Sequence, residues 1–146
     1  MRGAVSLSTF RNNIIKIIRP EKRSLFSIYD PIGTSWIFQL RVGLSPLKSH
    51  KKAHNFRDTN DDRCICMIEE STEHFLLKCP IYIEQRQKLF QTLDPILMTT
   101  NLHQLNDKER TLLLLYGHQK LSFGVNRTIL KETINFIRET SRFIQI

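Results

Sequence analysis

An all-α fold, a small irregular helical domain, follows from three observations. Apolar residues recur at helical spacing in one segment after another. Proline, glycine and small capping residues punctuate those segments. No stretch alternates apolar and polar residues as a half-buried strand does, and there is no internal repeat or low-complexity tract.

In chain order, Leu7, Phe10, Ile14, Ile17 and Ile18 lie at helical spacing between Ser6 and Arg19, and Pro20 ends that helix because it has no N–H for the ladder. Residues 20–29 read as an extended connector and Asp30-Pro31-Ile32-Gly33 as a turn. Thr34 is placed to cap a short helix carrying Trp36, Ile37 and Leu40, which Gly43 terminates. Ser45-Pro46 opens another helix, with Ser as N-cap and Pro at the first helical position. On it Leu47, His50 and His54 share roughly one face, while Lys48, Lys51 and Lys52 lie towards others. Residues 55–62 form a polar loop. Ser71 or Thr72 caps the next helix, with Glu73 and His74 in its first turn and Phe75, Leu76 and Leu77 packing inward.

Pro80 starts a helix whose apolar stripe is Tyr82, Leu89, Phe90 and Leu93, and Asp94-Pro95 breaks it. Asn106 and Glu109 have the spacing of a capping box. Leu112 to Leu115 form a buried helix closed by Gly117, and a last amphipathic helix spans about residues 126–143, with Leu130, Ile134 and Ile137 on one face. The expected organisation is an N-terminal helix and connector over 1–33, a metal-binding helical module over 34–93 and a C-terminal helical segment over 94–146.

The chain has 146 residues and a net charge of +8. The charge is uneven: residues 1–63 carry 12 basic and 5 acidic side chains, a net of +7, while residues 64–146 carry 10 and 9, a net of +1. Such asymmetry points to a polyanionic partner bound by the first half. The longest apolar run is Leu112 to Tyr116, far short of the roughly 20 residues of a membrane span. The N-terminus turns polar too soon for a signal peptide, and three cysteines cannot pair off as disulfides, so a reducing compartment, cytoplasm or nucleus, is expected. No Ser-His-Asp or Cys-His nucleophile pattern and no nucleotide motif is present, so neither an enzyme nor a small-molecule substrate is expected.

All three cysteines fall in one window with a histidine: Cys64-x-Cys66, seven residues, His74, four residues, Cys79. Three thiols and one imidazole make a complete tetrahedral set for zinc, a Cys3His zinc knuckle. His74 and Cys79 would lie about 140° apart on an unbroken helix. Pro80 disfavours helical geometry at Cys79 and lets that thiol swing back. Four protein donors leave no open position, so the zinc would be structural, contributing about 10–16 kcal/mol as in isolated zinc-finger peptides. Backbone amides of residues 67–68 are the expected donors to the thiolates. His50 and His54 are spaced as ligands, but with the set of four complete the plainer reading is a hydrogen-bonded pair. Trp36, Phe75 and Tyr82 could stack on bases, yet each falls on an apolar stripe and belongs with the core.

The residues around this window resemble the C-terminal zinc-binding region of non-LTR (LINE-type) retrotransposon reverse transcriptases. The resemblance rests on Arg41 and Gly43, on Leu47, His50 and His54, on the Cys/Cys/His/Cys set with Thr72-Glu73-His74-Phe75-Leu76, on Cys79-Pro80, and on Tyr82 and Arg86. It is close over about residues 36–90 and looser over the Leu-rich segment before His118 and the final Thr140 to Phe143. It implies a region that follows a polymerase core and grips template RNA or target DNA, with Arg41, Lys48, Lys51, Lys52, Arg57 and Arg63 contacting phosphate. It does not bring a polymerase: Asp61-Asp62 follows Thr59-Asn60 in a polar loop, where the family's catalytic pair needs an aromatic residue two positions before it. The implied object is a non-catalytic fragment. Alternatives are a helical protein-docking module, with the polymerase core as its partner, and a decayed element copy with no present function.

Overall fold

The computed structural model describes residues 23–54 and 61–144. The helix expected before Pro20 lies outside them, as does Arg57. Among the described residues the architecture is all-α: α1 Arg23–Phe26, α2 Pro31–Val42, α3 Lys48–Ala53, α4 Ile83–Thr99, α5 Asp107–Tyr116 and α6 Phe123–Thr140, with a π-turn at His74–Lys78 and a 3₁₀ turn at Pro80–Tyr82.

The central element is α6, against which α1, α2, α4 and α5 all pack. Its Ile129, Leu130, Ile134, Phe136 and Ile137 are buried, a broader apolar surface than the single face expected from sequence. Ser122 caps it by accepting the Val125 N–H at 3.2 Å, so it begins three residues before Asn126 and ends at Thr140. One hydrophobic cluster contains Leu25, Trp36, Phe75, Leu89, Leu97, Leu113, Ile134 and Phe143, so all three sequence segments share a core.

Several local expectations change. Residues 23–26 are helical rather than extended. Asp30 starts α2 instead of a turn: its carboxylate accepts the Gly33 N–H at 2.9 Å, and Pro31 supplies the fixed φ of a first helical position. Thr34 therefore lies inside α2, which ends as expected at Gly43 with φ 76°. A β-carbon at Gly33 would collide with Ile134, so α2 lies close against α6 there.

Ser45-Pro46 does not open α3. Ser45 Oγ accepts the Leu47 N–H at 3.1 Å, and Leu47 is extended at the N-cap, so the helix starts at Lys48. Asp94-Pro95 does not break α4, which runs through to Thr99. Leu89, Leu93 and Leu97 bury every fourth residue on one face, whereas Pro95 is exposed on another, so tertiary packing on both sides outweighs one lost ladder bond. The Asn106–Glu109 capping box forms in both directions, at 2.8 and 3.0 Å.

Phe75 sits where the metal-site segment enters the core, its ring 5.4 Å from those of Tyr82 and Phe143 and 5.5 Å from that of Phe136. Phe75→Ala removes all three ring contacts. It is expected to cost about 3–5 kcal/mol in urea unfolding of the full chain.

Candidate metal centre

The first two donors lie on a small hairpin. Cys64 donates its N–H to Ile68 O at 2.7 Å, and Met67 donates to Cys64 O at 2.8 Å. An isolated antiparallel bridge pairs Arg63 with Glu69 below it. Met67 takes φ 75°, a left-handed conformation that closes the turn. This aims the Cys64 and Cys66 thiols to one side and leaves Ile65 and Met67 outside.

The other two donors flank the π-turn. Ser71 Oγ accepts the His74 N–H at 3.1 Å, so of the two expected caps Ser71 does the work. Cys79 donates its N–H to His74 O at 2.8 Å, five residues back. That wider turn carries residue i+5 round to the side of residue i, which a 3.6-residue turn does not. Cys79 is extended, at φ −62° and ψ 122°, as Pro80 requires. The turn's carbonyls are collected by Arg86, which donates to Leu76 O at 2.8 Å, Cys79 O at 2.8 Å and Phe75 O at 3.0 Å.

The four donor atoms converge within 4.8 Å of one another. Cys64 Sγ and Cys79 Sγ are 3.6 Å apart, and Cys66 Sγ is 3.2 Å from His74 Nε2. Sulfurs on a tetrahedral ion with bonds of about 2.3 Å stand about 3.8 Å apart, so the group has the dimensions to hold a metal ion. All three cysteines are free thiols. Burial, with the neighbouring Cys64 adding to it against the Ile81 amide, pushes the Cys79 thiol up to about 12. Burial also raises Cys66, but the Ile68 amide and the adjoining thiols outweigh it and hold it below the ordinary value. The Ile68 amide was legible in the knuckle; the Ile81 amide comes from the turn after Pro80. Burial depresses His74, favouring the neutral imidazole that ligates metal.

The basic residues disperse. Arg41 donates Nε–H to Leu115 O at 2.7 Å and lies 4.4 Å over the Tyr116 ring, and burial lowers it to about 10. It ties α2 to α5. Lys52 pairs with Asp62 at 3.6 Å and Arg63 with Asp61 at 3.0 Å. Among the described residues the ammonium groups of Lys48 and Lys51 have no ion-pair partner. His50 is half-buried between Ser45 Oγ at 2.7 Å and Thr72 Oγ1 at 3.1 Å, hydrogen-bonded as the plainer reading has it, and His54 is exposed. Trp36 and Phe75 are buried, and Tyr82 packs on Phe75.

Sequence reasoning missed Glu70 and Arg142. Glu70 is buried, and its carboxylate accepts from Arg142 Nε at 2.8 Å, from Arg142 Nη2 at 2.6 Å and from the Lys48 N–H at 2.8 Å. The partners are 72 and 22 residues away, so no local pattern announces them.

No protein-family model, curated protein or solved structure matches the chain. Among the described residues no helix is long and apolar enough to cross a membrane.

Two outcomes are expected. Arg86→Met leaves two carbonyls of the π-turn and that of Cys79 without their donor and should weaken metal binding about 10–100-fold in competition with a chromophoric chelator. The second concerns acid. Burial would raise Glu70, but Arg142 and the Lys48 amide hold it below its ordinary 4.5. A depressed carboxylate stabilises the fold fully above its unfolded value and ceases to as pH falls through its folded value. Stability in urea should therefore fall below about pH 4.5 for this group, and Glu70→Gln should flatten that fall.

Proposed function

We propose that this chain is a zinc-stabilised, non-catalytic module that grips the backbone of RNA or DNA, akin to the C-terminal region of LINE-type reverse transcriptases. The observation that carries the reading is the convergence of Cys64, Cys66, His74 and Cys79 beside α3, the helix that bears Lys48, Lys51 and Lys52. Zinc suits three thiolates and an imidazole in tetrahedral array, and a four-donor site has a structural role. The ion would join the 63–69 hairpin to the π-turn.

The phosphate contacts fall to Lys48 and Lys51 first. Lys52 and Arg63 would exchange Asp62 and Asp61 for phosphate, a small cost, since solvent screens exposed pairs. Arg57 belongs to the same proposed surface by sequence. Affinity for duplex should fall with salt, by about 0.9 in log–log slope for each phosphate neutralised.

A second reading, a helical docking module, is favoured by one observation. Phe26, Tyr29 and Phe38 are exposed around a groove of about 680 Å³ between α1 and α2. The occupant would be the polymerase core that the family resemblance places before this region.

Metal analysis of reductively purified protein is expected to give one zinc per chain, and none would overturn the zinc assignment. Joint charge reversal of Lys48, Lys51 and Lys52 to Glu should abolish binding to labelled RNA or DNA in low salt and leave zinc content unchanged. Salt-independent binding by the native chain, or loss only of protein docking, would overturn the nucleic-acid reading in favour of the second.

A further inference from the structure

The helix α3 has six residues and buries none of them. A helix that short is not stable by itself, so its position comes from its neighbours. Leu47, just before it, is anchored in the core. Apart from the local Ser45–His50 contact and the Lys52–Asp62 pair, its other ties run to one stretch, residues 69–72. Glu70 caps its first amide, the Lys48 N–H. Ser49 donates its N–H to Glu70 O at 3.3 Å and its hydroxyl to Glu69 Oε2 at 2.7 Å. His50 meets Thr72 at 3.1 Å. That stretch lies between the second metal donor, Cys66, and the third, His74.

We propose that Glu70 is a positioning residue through which the metal centre sets the basic helix, so that metal occupancy governs the grip on phosphate. This rests on the reading that α3 binds nucleic acid. Metal bonds at Cys66 and His74 would pin both ends of the 67–73 segment. Glu70 passes that restraint outward. Its N–H is fixed on Asp62 O at 2.6 Å, its carboxylate is clamped by Arg142, and Arg142 also holds Pro46 O at 3.0 Å on the approach to α3. The carboxylate thus meets the N-terminal amide of the helix with its charge balanced by a guanidinium. Release of the metal frees the segment on its Cys66 side and loosens the cap. Lys48, Lys51 and Lys52 then lose their common frame although none of them touches the metal.

The test is amide hydrogen exchange on the full chain with zinc, after chelation, and in two variants. Chelation is expected to speed exchange at Lys48, Ser49 and Lys51 well before the amides of α6. Glu70→Gln should keep one zinc per chain and the protection of α6, speed exchange in α3, and weaken RNA or DNA binding about tenfold, the worth of a charge-assisted hydrogen bond. Ser49→Ala, a mild change that removes only the Glu69 contact, should move α3 the same way by less. Unchanged α3 exchange on chelation overturns the proposal, and so does loss of zinc by Glu70→Gln, which would make Glu70 a support of the metal site alone. If α3 responds to zinc but the native chain binds no nucleic acid, the coupling stands and the nucleic-acid reading fails. If the native chain binds and α3 does not respond, the reverse holds.

Discussion

The hydrogen bond from the Cys79 N–H to the His74 carbonyl is the constraint on which the rest depends. It widens one turn of helix, and that widening serves two surfaces at once. His74 and Cys79 face the hairpin thiols, while Phe75 and Leu76, between them, are fully buried in the core. An α-turn would bring Phe75 inward and leave Cys79 astray. The wider turn survives because Arg86 takes up its carbonyls and Pro80 carries the chain away in an extended step. The geometry of the donor group and core packing are therefore one arrangement.

Three arginines close the structure from within. Arg86 collects carbonyls, Arg41 joins α2 to α5, and Arg142 clamps Glu70 and Pro46. Asn126, buried in α6, accepts from the His118 N–H at 2.8 Å and donates to His118 O and Leu121 O. Among the described residues no buried side-chain nitrogen or oxygen lacks a partner. An unpaired buried charge is costly, so these groups have little freedom to act elsewhere. Among the described residues Lys48 and Lys51, on α3, stand outside these ties.

Much was legible where a signal is local and chemically unambiguous. The all-α class, the Asn106 capping box and the left-handed residue at Gly43 each follow from a few neighbouring residues. So did the donor set, because no other cysteines compete for it. The misreadings share one cause. Asp30-Pro31, Ser45-Pro46 and Asp94-Pro95 are near-identical local patterns, and the first starts a helix, the second precedes one and the third sits inside one. Which outcome holds depends on where Leu93, Leu97, Leu47 and Gly33 lie against other elements.

The sequence by itself determined the helical class, the identity of four convergent donors and the basic character of the first half, because composition, periodicity and donor chemistry belong to single residues and their near neighbours. Only the tertiary structure decided that the His74–Cys79 turn is a π-turn, that Arg41 is tied inward, and that Glu70 caps α3. The first depends on Arg86 collecting carbonyls 7, 10 and 11 residues back, the others on groups 22, 72 and 74 residues apart, and only a packed core brings such groups to hydrogen-bond distance.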